Sequence, residues 1–288
     1  MKITFIEPDE RLRPFIESLW VFESPFGFPI GDSSIAAPNG CAKLIIPYQN
    51  SVVSTANGAT SESHPGKIYF VGNQESSTQL ASTPQPTGFI AIEFAAAGAF
   101  PIFGIPMAET AGRLWDTETL LKAWNLGVRN ALVNEPSVTR KVQIVQLELT
   151  RLLQRNGNRN SVVEHCVHQL KMSHGLVSVN LLAKDTGYSR RHLDNLFRQH
   201  VGLGPKTVAR IFRFQKYHQL WAEHQPYEMI RDALYQHYYD ESHFYKDFKR
   251  MTGYSPAHYR SYVANEFGRV LTLRQRFPFL QDALKAEM

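Results

Sequence analysis

The first half of the chain shows short apolar runs separated by clusters of Pro, Gly, Asn and Ser, the usual pattern of strands in a sheet. The runs cover residues 42–46, 67–71 and 88–94. No long helical pattern lies between them, so an antiparallel sandwich or barrel is favoured over a βαβ fold. Helical spacing predicts flanking helices at residues 114–124 and at Leu12, Phe15, Ile16, Leu19 and Trp20.

A longer helix is predicted after Ser137, a suitable N-cap residue. Apolar residues then recur at steps of four, three, four and three positions, the spacing of a helix–helix seam. They are Val138, Val142, Val145, Leu149 and Leu152. Two interpretations stay open, because the stripe either packs on its own domain or forms a homodimer.

A polar segment rich in Asn and Gly, residues 156–161, is the best candidate for a domain boundary. Beyond it the pattern is helical. We therefore expect an α+β fold: a β-rich, sandwich- or barrel-like N-terminal domain (1–156) with flanking helices and an all-α domain (161–262). A C-terminal extension (263–288) is either one more helix or flexible.

The all-α domain contains an internal repeat, in which residues 188–205 recur 51 positions later as residues 239–256. A His, a large apolar residue, a Phe, a Gly and a Pro occupy the same offsets in both copies. They are His192, Leu193, Phe197, Gly202 and Pro205, then His243, Phe244, Phe248, Gly253 and Pro256. Two copies are too few for a solenoid, so one small helical unit is used twice.

Each copy has the pattern of a helix-turn-helix unit. In the first, an apolar helix ends at Gly187 and Ser189 caps a second helix. In the second, Met229, Ile230, Ala233 and Leu234 precede the turn, and the next helix covers residues 242–250. Residues 206–224 predict a connecting helix of roughly 25 Å, in which we interpret Arg213 as a salt-bridge strut.

Residues 179–260 resemble the C-terminal DNA-binding domain of the bacterial AraC/XylS-type transcriptional regulators. The motifs that carry the resemblance are Leu182-Ala-x-x-x-Gly-Tyr-Ser, Gly202-x-x-Pro205, Asp240-x-Ser-His-Phe244, Phe248-Lys-Arg-x-x-Gly253-x-x-Pro256 and Tyr259-Arg260. The first half resembles an uncharacterised N-terminal domain attached to such regulators, at Leu19-Trp20 and at residues 38–41 and 103–106.

The resemblance implies a sequence-specific regulator that binds double-stranded promoter DNA. It implies an activator that works with RNA polymerase, with an N-terminal domain that senses a small molecule or dimerises, and no cofactor or metal. Implied base contacts are Arg191, Asp194, Asn195, Glu241, Ser242, Tyr245 and Lys246. Implied phosphate contacts are Ser189, Arg190, Arg198, Lys249 and Arg250.

Some residues depart from the family pattern. His237 stands where the second turn usually has Gly, and Asp232 stands where an apolar residue is usual. Asp194, Asp240 and Glu241 place negative charge on faces that approach phosphate. We therefore expect the second unit to be the looser reader.

The charge is divided unevenly within a net charge of +5. Residues 1–155 hold 12 Lys and Arg against 14 Asp and Glu, whereas residues 156–288 hold 19 against 12. A net charge of +7 on the second part indicates either a polyanion partner or a well-solvated basic surface.

Enzyme chemistry is not expected. The first half has a single histidine, His64, too few for the usual metal-binding set, and motifs such as GxSxG or a P-loop are missing from the sequence. The group His165-Cys166-x-His168 is a poor metal site on its own. Because Cys41 and Cys166 are far apart and no apolar run is long enough for a membrane span, we expect free thiols and a cytoplasmic protein.

Two further possibilities concern ligands. The acidic residues and His237 leave open a ligand- or protein-binding module with weakened DNA readout. Aromatic residues of the first half either line an apolar effector pocket or form the core, and we favour the core for most of them. They are Trp20, Phe22, Phe26, Phe28, Tyr48, Phe70, Phe89 and Phe94.

Overall fold

The computed structural model describes residues 1–28, 34–223, 238, 240–262 and 266–274. Ten strands lie among residues 2–116, and helices make up most of the described chain beyond residue 117. The expected α+β fold class is confirmed. Met229, Ile230, Asp232, Ala233, Leu234 and His237 lie outside the described residues, as does the rest of the extension beyond residue 274.

The strands form two antiparallel sheets. The larger has the order β1 (Lys2–Phe5), β2 (Ile16–Ser24), β9 (Thr87–Phe94), β4 (Lys43–Gln49), β7 (Tyr69–Val71) and β10 (Leu114–Asp116). The smaller has the order β3 (Ser34–Ala36), β8 (Thr78–Ala81), β5 (Val52–Ala56) and β6 (Ala59–Ser63). This is the sandwich-like arrangement expected from the short apolar runs.

The larger sheet is buried on both faces. Leu19 and Val21 of β2 belong to the main hydrophobic core, which includes α1 (Ala99–Phe103), α3 (Lys122–Val133) and α4 (Val138–Asn156). Trp20 and Phe22 point to the other face, where they pack with Phe28 and Phe89. Neighbouring residues of a strand point to opposite faces of the sheet. Because both faces of this sheet are buried, the β2 side chains on both faces are apolar.

The helix predicted over residues 12–20 is wrong. Residues 10–15 form turns, and Ile16 begins β2, the strand between β1 and β9. A strand buried on both faces carries a nearly continuous apolar run, and such a run also contains the i, i+3, i+4 matches of a helix. Residues 114–124 are mixed: strand β10 comes first, followed by α2 (Thr117–Leu120) and α3.

The helix after Ser137 is confirmed as α4, and the Ser137 side chain accepts a hydrogen bond from the Arg140 amide. Its apolar stripe is not a free dimer seam. Val142, Val145 and Leu149 are buried in the main core of their own domain, and Val138 packs against that core. Leu152 is also buried there, so the stripe stabilises the monomer.

The remaining helices are α5 (Ser161–Met172), α6 (Val179–Thr186), α7 (Arg190–Val201), α8 (Pro205–Ala222), α9 (Glu241–Thr252), α10 (Pro256–Tyr262) and α11 (Glu266–Arg274). Part of the C-terminal extension is therefore helical. Phe267 of α11 packs edge-on against Trp20 and Phe22 of the larger sheet. Among the described residues, no helix is long and apolar enough to cross a membrane.

Candidate nucleic-acid interface and ligand cavity

Helices α7 and α9 are two copies of one structure. Each has 12 residues, and their first residues are 51 positions apart. The Ser189 side chain caps α7 by accepting from the His192 amide at 3.2 Å, and Asp240 caps α9 by accepting from the His243 amide at 2.7 Å. Both helices end at a left-handed glycine, Gly202 (φ 88°) or Gly253 (φ 82°), so the sequence repeat is a structural one.

The two helices bury side chains at matching positions and expose side chains at matching positions. Leu193 and Phe197 of α7 are buried, as are Phe244 and Phe248 of α9. Asp194 is half-buried, and the other predicted contact residues are exposed. The exposed ones are Ser189, Arg190, Arg191, Asn195, Arg198, Glu241, Ser242, Tyr245, Lys246, Lys249 and Arg250.

Two of the acidic departures have local structural roles. Arg198 Nε donates to Asp194 Oδ2 at 2.7 Å, and this hydrogen bond together with the carboxylate charge raises the pKa of Arg198. Asp194 and Arg198 therefore offset each other's charge on α7. Asp240 is the N-cap of α9, where the helix dipole stabilises a negative charge.

The two units are joined by α8, whose 18 residues span about 27 Å. Pro205 occupies its first turn, where a missing amide proton costs nothing. Arg213 acts as a strut, but its hydrogen-bond partner is a backbone carbonyl rather than the predicted acidic side chain. Its Nη2 donates to the Gly175 carbonyl at 3.0 Å, and its guanidinium lies 5.4 Å from the Tyr238 ring centre.

The cysteines and the candidate metal ligands have ordinary partners. Cys41 and Cys166 are free and buried, and burial raises the pKa of both thiols. His165 Nε2 lies 2.7 Å from Asp185 Oδ2. Within the described part of the chain, no three His, Cys, Asp or Glu side chains are grouped as a metal site requires.

A cavity of about 390 Å³ lies between the two sheets. Trp20 and Phe89 line it from the larger sheet, Thr78 and Leu80 from the smaller one, and Phe267 from α11. The volume is within the range of small-molecule sites. Of the other aromatic residues, Phe22 and Phe28 support this wall, Phe70 and Phe94 belong to the main core, Tyr48 packs against that core, and Phe26 is exposed.

The buried charge in the cavity wall is neutralised locally. Glu93 is 2% exposed. It accepts from Ser18 Oγ at 2.8 Å and from Asn39 Nδ2 at 3.3 Å, and Lys43 Nζ lies 3.5 Å away. This cluster compensates the charge of the buried Glu93 carboxylate.

Two polar atoms of the cavity wall have no partner. Trp20 Nε1 and Gln74 Oε1 are both buried and make no hydrogen bond among the described residues. A buried donor or acceptor without a partner destabilises the protein. Sequence patterns leave Trp20 as either a cavity-lining or a core residue, and they carry no signal for Gln74, which lies in the loop between β7 and β8.

Comparison with known domains gives two family matches. Residues 182–262 match a helix-turn-helix domain, and residues 4–116 match a domain of unknown function, DUF6597. No curated protein matches the chain. The resemblance of the C-terminal part to AraC-type regulators is thus confirmed, and these regulators are not enzymes.

Among solved structures, the chain is similar to ToxT from Vibrio cholerae. The unsaturated fatty acid-bound wild-type form gives a TM-score of 0.49 at 12% identity and covers 91% of this chain and 100% of that one. The apo form of a variant gives 0.47 at 11%, covering 90% and 100%. A cupin domain of Cnp3 from Schizosaccharomyces pombe gives 0.26 at 15%, covering 33% and 64%. These values are too low to transfer a property to this chain.

Proposed function

We propose that this chain is a DNA-binding transcription regulator that inserts α7 and α9 into adjacent major grooves of one duplex. The match of residues 182–262 to a helix-turn-helix domain supports the regulator role. The observation that supports the insertion is the matched pair of capped 12-residue helices, each with its polar face in solvent. Adjacent major grooves are about 34 Å apart on one face of the duplex, and α8 provides a rigid connector of similar size.

The proposed base contacts differ between the two helices. Arg191 and Asn195 of α7 are suited to guanine and adenine edges, respectively. In α9 the corresponding positions carry Ser242 and Lys246. Asp194, Glu241 and Tyr245 complete the base-reading set, and Ser189, Arg190, Arg198, Lys249 and Arg250 position the helices on the phosphates. One monomer then reads two different half-sequences.

We further propose that the N-terminal domain (1–156) binds a small-molecule effector in the cavity between its sheets. The DNA-binding domain (161–262) then activates transcription in the cytoplasm through contact with RNA polymerase. The cavity of about 390 Å³ with two unpaired polar atoms supports the effector. The activator role rests on the family resemblance alone, and a promoter fusion assayed with and without the intact gene tests it.

Selection of duplexes from a random-sequence pool by the full chain tests the DNA-binding mode. We expect one non-palindromic site with two conserved blocks about ten base pairs apart. A palindromic consensus would instead indicate two chains that each read one half-site.

The salt dependence of binding distinguishes a reader of DNA from a module with weakened DNA readout. A protein that neutralises several phosphates loses affinity steeply with salt, by about 0.9 in the log–log slope for each phosphate. We expect Lys249→Ala to reduce that slope by about 1 on any duplex. A flat slope for the wild type, with no enriched sequence, would favour the alternative module.

A further inference from the structure

The loop between β7 and β8, residues 72–77, touches the end of both reading helices. We call it the brace loop. The Asn73 side chain donates from Nδ2 to the carbonyl of Val201, the last residue of α7, at 2.6 Å. At its other end, the Ser77 amide donates to the Met251 carbonyl at 2.6 Å, and Ser77 Oγ donates to the Thr252 carbonyl at 3.2 Å.

These bonds are of a kind that fixes a helix in place. The last carbonyls of a helix have no partner within the helix, so they accept from outside it. The loop satisfies such carbonyls on α7 and on α9 within five residues of chain. It therefore sets the position of one reading helix relative to the other.

The loop is itself firmly held. The Gly72 amide donates to the Arg113 carbonyl at 3.0 Å, and the Gly112 amide donates to the Asn73 carbonyl at 2.9 Å. A side chain on Gly72 would meet the Thr110 carbonyl oxygen at 2.0 Å. Displacement of the loop is therefore passed on to its neighbours rather than absorbed within it.

The same loop is a wall of the cavity. Gln74 and Ser76 line it between the two anchoring residues. Among the residues that the structure describes, the buried Gln74 Oε1 is an acceptor without a donor, and Trp20 Nε1, on a side chain 3% exposed, is a donor without an acceptor. A ligand hydroxyl group can donate to the Gln74 oxygen. The remaining wall is mainly apolar, with Phe89 and Phe267 among its largest side chains.

We propose that the cavity binds a neutral, mainly apolar alcohol or phenol whose hydroxyl donates to Gln74 Oε1, and that the brace loop couples its binding to the spacing of α7 and α9. This inference rests on the proposed function, because the spacing matters only if both helices read one duplex. The reading faces are exposed in the arrangement that the loop holds. Ligand that stabilises this arrangement raises DNA affinity.

The ligand chemistry is tested on the full chain without DNA. Naphthol and methylnaphthalene, a near-isosteric pair, compete with the fluorescent apolar probe N-phenylnaphthylamine. We expect naphthol to bind the wild type about three- to tenfold more tightly, the effect of satisfying a buried acceptor. Gln74→Leu should abolish this preference. Gln79→Leu, an exposed glutamine outside the cavity wall, is the matched control and should retain it. Equal affinities of the wild type for both compounds would overturn the ligand assignment.

The coupling is tested by measuring the affinity for the selected duplex with and without naphthol. We expect about a fivefold or larger gain for the wild type. Asn73→Ala should retain naphthol binding and lose most of that gain, and the milder Ser77→Ala should reduce it. An undiminished gain in both variants would exclude the brace loop as the coupler.

Failure of the proposed function would look different. If no duplex is selected, amide hydrogen exchange of residues 72–77 still reports on the loop, and naphthol should slow it in the wild type but not in Gln74→Leu. Unchanged exchange in the wild type, despite naphthol binding, would overturn the coupling without reference to DNA.

Discussion

The two reading helices share one fold but differ in how they are attached to the N-terminal domain. Helix α7 lies beside the first half of the chain: the His200 ring centre is 4.1 Å from that of Phe100, and Gly202 lies next to the Met107 carbonyl. Helix α9 meets the first half at Ser77 of the brace loop. Thus α7 has more contacts with the first half, and α9 is held there by the brace loop.

The two copies of the unit therefore share their buried core but differ in their contacts with the N-terminal domain. A buried core that is repeated in both copies keeps each helix in the same local frame, through Phe197 and Phe248. The contacts outside that frame are not repeated: α7 contacts Phe100 and Met107, whereas α9 contacts Ser77. The weaker DNA readout expected of the second unit stays a prediction, because His237 lies outside the described residues.

The buried histidines give the largest expected effect. His218 of α8 is fully buried and bonds to Tyr259 of α10 at 3.0 Å and to Thr272 of α11 at 2.9 Å. Burial lowers its pKa to about 4. In the unfolded chain the pKa is near 6.5, so the unfolded state binds more protons between these values, and the free energy of unfolding falls as the pH falls.

We expect His218 to lower the free energy of unfolding by about 3 kcal/mol between pH 7 and pH 4. This follows from the difference of about 2.5 between its pKa values in the unfolded and folded states. Urea unfolding at several pH values between 7 and 4 measures it. His218→Gln should show a shallower pH dependence, and the exposed His168→Gln should match the wild type. Parallel curves for His218→Gln and the wild type would contradict the assignment. Burial lowers the pKa of His200 in α7 as well, so α7 keeps part of the acid sensitivity.

The glycines that end the two helices provide a matched pair of substitutions. Both have left-handed backbones, which cost a non-glycine residue about 1–2 kcal/mol. An added Cβ at Gly253 meets nothing within 4 Å, but at Gly202 it would lie 2.8 Å from the Met107 carbonyl oxygen. We expect Gly253→Ala to cost about 1 kcal/mol of unfolding free energy and Gly202→Ala about 3, since the clash adds to the backbone cost. Thermal unfolding of the two variants measures the difference, and equal losses would show that α7 is not held by the first half.

The base-reading positions should also be unequal. Arg191→Ala removes a side chain able to bond a guanine edge with two hydrogen bonds, so we expect a loss of about 1–3 kcal/mol on the selected duplex. Ser242→Ala, at the same position of α9, removes one neutral hydroxyl and should cost about 1 kcal/mol or less. Arg155→Ala, an exposed arginine of α4, controls for overall charge. A larger loss for Ser242→Ala would reverse the order of the two readers.

The sequence was sufficient for the local parts of this arrangement. The offsets of His, Phe, Gly and Pro in the repeat report caps, buried faces and turn glycines, all of which are set within about 15 residues of chain. The pattern predicts a start of α9 at Ser242, one residue late, because the carboxylate of Asp240 caps the helix and Glu241 is its first residue.

The long-range parts were not accessible from patterns. Asn73 and Val201 are 128 residues apart, and polar loop residues such as Asn73 and Gln74 resemble any other turn until the fold brings them together. The sequence pattern predicts a helix where strand β2 begins, because burial on both faces removes the alternation of a strand. The cavity likewise exists only through pairing of distant strands and the return of α11.

The N-caps give the smallest expected effect and separate stability from DNA binding. Ser189→Ala and Asp240→Ala should each cost about 1 kcal/mol of unfolding free energy, because each leaves an amide at the helix start without its partner. Asp240→Asn keeps a good cap and removes the charge, so its unfolding free energy should change by a few tenths of a kcal/mol at most. Its affinity for nonspecific duplex should rise slightly at low salt, since a carboxylate near the phosphates repels them. If Asp240→Asn lowers stability as much as Asp240→Ala, the charge rather than the hydrogen bond holds the start of α9.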